Sequence, residues 1–141
     1  MTNSKPPIWF WIVSVVALLW NLLGVMAFVG QMAMTPDMLA QLPEAERIAI
    51  ETRPVWATVA FGIAVFGGAV GSALLLLRSR MAKLLLIASL LGVIVQMAQA
   101  LSASSLSDFG PGGMVMTVMI IGICALLVWL SVVAQRKGWI R

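Results

Sequence analysis

The chain has no histidine and no tyrosine, a single cysteine, and only nine basic and five acidic residues among 141. Each shortage removes a class of function. With no histidine, and with every carboxylate outside the long apolar runs, no nucleophile has a base to activate it. The chain is therefore read as a non-enzyme with no catalytic residue. A zinc site draws on cysteine, histidine and carboxylate together, and that combination is lacking, so no metal and no cofactor is expected. Cys124 has no partner for an internal disulfide. A proton-coupled pump or multidrug antiporter carries an ionisable residue inside the membrane, and no Asp, Glu, Lys or Arg falls inside an apolar run here. The basic residues are dispersed at the ends of those runs rather than gathered into a patch, so nucleic acid is not an expected partner.

What is present is apolar sequence. Hydrophobic residues make up 62% of the chain and the mean hydropathy is +1.05, outside the range of soluble domains. Four runs exceed twenty residues: Ile8 to Met34, Val55 to Leu77, Leu84 to Ser104 and Met114 to Ala134. At about 1.5 Å per helical residue each can cross a hydrocarbon core roughly 30 Å thick. The fold class expected is an all-α integral membrane protein, a bundle of four transmembrane helices forming one domain over residues 1–141. The first run is too long for the apolar region of a signal peptide and lacks a clear cleavage site, so it is read as a retained span.

Charge sets the expected orientation. Lys5, Arg78, Arg80, Lys83, Arg136, Lys137 and Arg141 share one side of a four-span topology. The other side has Arg47 and Arg53 with all five acids, Asp37, Glu44, Glu46, Glu51 and Asp108. The excess of cations on the first side places both termini in the cytoplasm. Residues 35–54 read as one or two short helices on the outer surface: Thr35 is an N-cap with Pro36 at the first helical position, and Pro43 and Pro54 repeat the punctuation. Glu44–Arg47 and Arg47–Glu51 have spacings that allow ion pairing. Gly110-Pro111-Gly112-Gly113 reads as a short outer loop with Asp108. Trp9, Trp11, Trp56, Trp129 and Trp139 fall near span ends, where indoles anchor at the headgroup level, and only Trp20 is deep.

Two features within the spans call for partners. On the second span Ala57, Ala60, Ala64, Gly67, Gly68 and Gly71 fall within about 100° of one another, a face that lets helix backbones approach closely. Its partner is either another span or a second subunit. On the third span Ser89, Gly92, Gln96 and Gln99 form a polar stripe, and Ser14, Asn21, Gly24 and Gln31 form another on the first. Counted from the span starts, Asn21 and Gln96 lie at one depth, near mid-membrane. Neutral amides are costly against lipid, so Asn21, Gln31, Ser89, Gln96 and Gln99 should face protein or water, as interhelical hydrogen bonds or as the lining of a solute path. Thr117, Cys124 and Ser131 make a weaker polar face on the fourth span. The first and third spans also echo each other: Leu22, Leu23, Gly24, Val25 and Gln31 recur as Leu90, Leu91, Gly92, Val93 and Gln99, with Asn21 matched by Ser89. Two duplicated hairpins would produce that echo, in parallel orientation. Eight of the ten methionines map to the outer half; thioethers suit Cu(I), but filling irregular apolar packing is their commoner use.

Ile8-Trp-Phe-Trp, Trp20-Asn-Leu-Leu-Gly, Leu42-Pro-Glu-Ala-Glu46, Val65-Phe-Gly-Gly-Ala-Val-Gly-Ser-Ala-Leu-Leu-Leu-Leu-Arg78 and Gly92-Val-Ile-Val-Gln96 resemble a group of small four-span bacterial inner-membrane proteins of unknown function, often automatically labelled as sugar transporters. The resemblance covers residues 8–97 and implies a multi-pass protein of the bacterial inner membrane. It brings no catalytic or binding motif with it. The expectation from sequence is an accessory, assembly or interaction subunit. It would lie in the lipid bilayer as a homo-oligomer or in a larger membrane complex, docked through the face of Ala60, Ala64, Gly67, Gly68 and Gly71. The alternative is a small facilitator of a neutral polar solute such as a sugar.

Overall fold

A computed structural model of the chain describes residues 4–103 and 110–141. The described residues form six helices: α1 (Ile8–Met32), α2 (Pro36–Ala40), α3 (Glu44–Glu51), α4 (Val55–Leu76), α5 (Met81–Ala103) and α6 (Gly110–Arg136). Of these, α1, α4, α5 and α6 are long and apolar enough to cross a membrane. The expected outer position of Asp108 and the last residue of the expected third span, Ser104, lie outside the described residues.

Helix starts follow local chemistry. The Thr35 hydroxyl accepts a hydrogen bond from the Met38 amide at 3.3 Å, with Pro36 in the first turn of α2. Pro43, Pro54 and Pro7 precede α3, α4 and α1 in extended conformations, as a proline-preceded helix start requires. On α3 neither Glu44 nor Glu51 closes an ion pair with Arg47; such pairs between solvated side chains have little to hold them. The expected loop at residues 110–113 is corrected: Gly110 has φ 65° and opens α6, with Pro111 in a first turn whose amides need no helical partner.

The two helix ends at the terminal side are built alike. Leaving α4, the Ser79 amide donates to the Leu74 carbonyl (2.8 Å) and the Arg78 amide to Leu75 (2.9 Å). Leaving α6, the Trp139 amide donates to Ala134 (2.8 Å) and the Gly138 amide to Gln135 (3.2 Å). Both are Schellman motifs, with Gly138 at φ 70° in one and Arg78 at φ 58° in the other. A non-glycine residue there costs about 1 kcal/mol or more, and the tail supplies compensating bonds. The Arg78 Nε donates to the Trp139 carbonyl at 2.5 Å, the Arg141 amide to Arg78 at 2.6 Å, and the Arg80 amide to Arg141 at 2.8 Å. The last residues thus form a short strap across the α4–α5 turn.

The strap also reaches α1. Trp139 and Ile140 are buried, and the Trp139 ring meets Phe10 and Trp9 edge-on at 5.7 and 5.5 Å. Trp139 is therefore corrected from a lipid-interface anchor to a core residue, because the turn at Gly138 returns it to the bundle. Around it lies the apolar core: Phe10, Ala17, Leu75, Ala82, Leu86, Leu127, Leu130 and Ala134.

Helix α4 lies between α1 and α5, packing extensively on both, while α6 packs mainly on α5. Its small residues explain why. Gly67 and Gly71 face Leu85, Leu86 and Ser89 of α5; Ala60 and Ala64 face Gly92 of α5; Gly68 faces Asn21 of α1 and Ser89 of α5. The expectation that this face docks a second subunit is corrected: α1 and α5 of the same chain cover it.

Candidate functional site

The polar residues of the spans fall into two groups at different levels. The first is a closed knot around Gly68. Asn21 donates its amide to the Ala17 carbonyl (2.8 Å) and toward the Ser72 hydroxyl (3.4 Å). Ser89 donates to the Ala64 carbonyl at 2.5 Å. Asn21, Ser72 and Ser89 are all buried. A methyl group at Gly68 would overlap the Asn21 carbonyl oxygen and stand 3.2 Å from the Ser89 hydroxyl. Among the described residues no buried polar side-chain atom lacks a partner. Nearer the termini, Ser14 and Ser131 turn their hydroxyls back onto the Phe10 and Val128 carbonyls, both at 2.7 Å. The knot has the character of interhelical fastening, each buried polar side-chain group satisfied.

The second group lines a pocket at the end of the bundle that carries α2 and α3. This pocket of about 210 Å³ is formed by Arg53, Gln96, Gln99 and Thr117, with Met97, Ala100, Leu101, Met114 and Ile121 as apolar walls. Gln31 borders it, accepting a hydrogen bond from the Arg53 Nη1 at 2.8 Å. The guanidinium also lies over the Phe61 ring, 5.6 Å from its centroid, a cation–π arrangement. Arg53 is half-buried, and desolvation pulls its pKa below the usual arginine value without removing its charge. Among the described residues no carboxylate pairs with it, and neither the Gln96 nor the Gln99 side chain makes a hydrogen bond.

The structure thus separates residues that counting from span starts puts together. Asn21 and Ser89 share the knot; Gln31, Gln96 and Gln99 belong to the pocket end, with Gln96 two helical turns beyond Ser89. The depth match of Asn21 with Gln96 is corrected, for α1 overhangs the α4–α5 turn at its start, where Phe10 docks on the tail. The echo between the spans tracks the levels better: Asn21 and its counterpart Ser89 approach one glycine, and Gln31 and its counterpart Gln99 flank one pocket.

Two contributors were not apparent from the stripes. Ser72 lies one helical turn after Gly68, so the face of Gly68 extended by four residues reaches it. Arg53 reads as loop charge, yet it immediately precedes the Pro54 helix start and is thereby held at the span's edge. Thr117 lines the pocket while also bonding back to the Gly113 carbonyl at 2.9 Å. The methionines do not form a cluster about one point: Met97 and Met114 line the pocket, whereas Met26, Met116 and Met119 are exposed on the helix surfaces. Among the described residues no group of histidine, cysteine and carboxylates could hold a metal ion. No protein-family model, curated protein or solved structure matches the chain.

Proposed function

We propose that the chain is a non-enzymatic multi-pass membrane protein, an accessory or interaction subunit whose bundle is a fixed scaffold. The observation that carries this reading is the closed knot at Gly68, where a single methyl group has no room between Asn21 and Ser89. A facilitator needs a path that opens through this level; a scaffold needs it shut. With the small-residue face used inside the chain, the surfaces left for a partner are the outward faces of the spans, those of α1 and α6 among them. Leu19, Leu23 and Met26 on α1 and Val115, Val118 and Trp129 on α6 are exposed there. Those faces meet lipid, a second copy or a larger complex.

The charge asymmetry supports an orientation with both termini cytoplasmic: the strap and the α4–α5 turn bring Arg78, Arg80, Lys137 and Arg141 to one end. The resemblance over residues 8–97 supports the bacterial inner membrane. The echo of α1 in α5, docked on α4 from two sides, supports an origin by duplication of a hairpin.

Gentle native purification of the full chain tests the proposal. A stoichiometric co-purifying membrane protein, lost on replacing exposed Val118 with Trp, is the expected result. A lone homo-oligomer that carries sugar into proteoliposomes would overturn it. This facilitator reading has one observation in its favour, the amide-lined pocket of Gln96 and Gln99.

A further inference from the structure

The pocket at the α2–α3 end combines three properties that the scaffold reading does not use. It holds a half-buried cation, it presents two amides with no hydrogen bond to a described residue, and its mouth is flanked by exposed apolar side chains, Leu101 and Met114. We propose that it binds the anionic headgroup of a phospholipid, with Arg53 taking the phosphate oxygens and Gln96 and Gln99 bonding the polar remainder of the headgroup. The acyl chains leave between Met114 and Ile121 of α6 and the bilayer.

Five features select this ligand class. A guanidinium has five N–H donors in a planar fork, of which a single one, at Nη1, is given to a described residue, Gln31. The remainder suits the bidentate recognition of phosphate. Partial burial raises the cost of leaving that charge without an anion. Arg53 lies just before the first residue of a membrane-crossing helix, the level at which a headgroup phosphate sits. Finally, a volume of about 210 Å³ is below the roughly 300 Å³ lower limit of pockets that enclose a whole drug-sized ligand. It suffices for a headgroup whose tails stay outside. The apolar mouth favours a molecule that arrives from the bilayer over a free anion from water.

Native mass spectrometry of the full-length protein, after exposure to equal amounts of phosphatidylglycerol and phosphatidylcholine, tests this. The expected result is preferential retention of phosphatidylglycerol by about tenfold: phosphatidylcholine offers the same phosphate but carries a trimethylammonium that Arg53 repels and that Gln96 and Gln99 cannot hydrogen-bond, whereas the glycerol hydroxyls of phosphatidylglycerol can bond them. R53Q should lose the preference, while R47Q, on α3 and outside the pocket, keeps it. A second variant, A100F, fills the pocket without touching the charge and should also lose it, which guards against misfolding of R53Q; circular dichroism checks the helical content of both. Preference retained in R53Q or in A100F overturns the site. Inorganic phosphate displacing the lipid in full, with equal affinity, overturns the lipid and leaves a free-anion site.

Discussion

The two halves of the bundle are held together by different means. At the terminal half the largest fully buried side chains gather: Phe10, Leu75, Leu86, Leu130 and Ile140, closed by the strap of Trp139 to Arg141. At the α2–α3 half the buried members of α4 are Ala57, Ala60 and Ala64, and in place of a large-residue core there is a pocket. One half is tied by bulky side chains and a return of the chain, the other by close backbone approach along one face of α4. In lipid, where apolar side chains gain little by leaving one hydrocarbon for another, both are ways of adding dispersion contacts without a hydrophobic drive. A bundle of apolar helices can thus close one end with bulky side chains and, with small residues in their place, leave a pocket at the other.

The largest effect should come from breaking the terminal half. Trp139→Ala removes the ring that contacts Phe10 and Trp9 and loosens the backbone bonds to Arg78 and Arg80. The expected loss is about 3 kcal/mol, as for a buried aromatic truncated to alanine, read as a fall in the thermal unfolding temperature in detergent. Hydrogen exchange should rise first at the α4–α5 turn. An unchanged turn would mean the strap is not what holds it.

Gly92→Val attacks the other half. A Cβ at Gly92 meets the Ala60 carbonyl oxygen at 2.8 Å and the Ala64 amide nitrogen at 3.0 Å, backbone atoms that cannot rotate away. Overpacking of this kind costs about 1–3 kcal/mol, and it should part α4 from α5 beside the pocket while the terminal half stays protected from exchange. Uniform deprotection would show that the halves unfold as one unit.

Much of this division can be read from sequence, and some cannot. The four spans follow from run length, and the pairing of levels follows from the echo of Asn21 with Ser89 and of Gln31 with Gln99. Periodicity places Ala60, Ala64, Gly67, Gly68 and Gly71 on one face but is silent on which neighbour covers it, since α1, α5 or another subunit would fit equally. The strap is not legible because a charged tail with a tryptophan matches the pattern of an interface anchor. Its one local signal is Gly138, two residues past the end of α6, where a Schellman motif turns the chain back. The placement of Arg53 is not legible because it depends on Gln31 across the loop, a contact no local pattern encodes.

Asn21→Leu sharpens the contrast between knot and pocket. It removes bonds to Ala17 and Ser72, and interhelical hydrogen bonds of this type are worth about 0.6–2 kcal/mol. Stability should fall by that amount, while lipid retention at the Arg53 pocket stays unchanged, the two sites lying at different levels. Loss of retention with intact stability would join them into one functional path and revive the facilitator reading.

The smallest effect is expected at Gly122 of α6, which has nothing within 4 Å of the position a methyl would take. Gly122→Ala should be neutral or stabilising by up to about 1 kcal/mol, because alanine loses less conformational freedom in a helix. That expectation holds if lipid alone faces Gly122. If a partner helix approaches α6 there, the same methyl group weakens the complex while leaving the isolated chain as stable as before. Measuring the thermal unfolding of the purified chain beside the yield of co-purifying protein separates the cases, and a drop in the second alone would locate the partner on the face of α6 that the bundle leaves open.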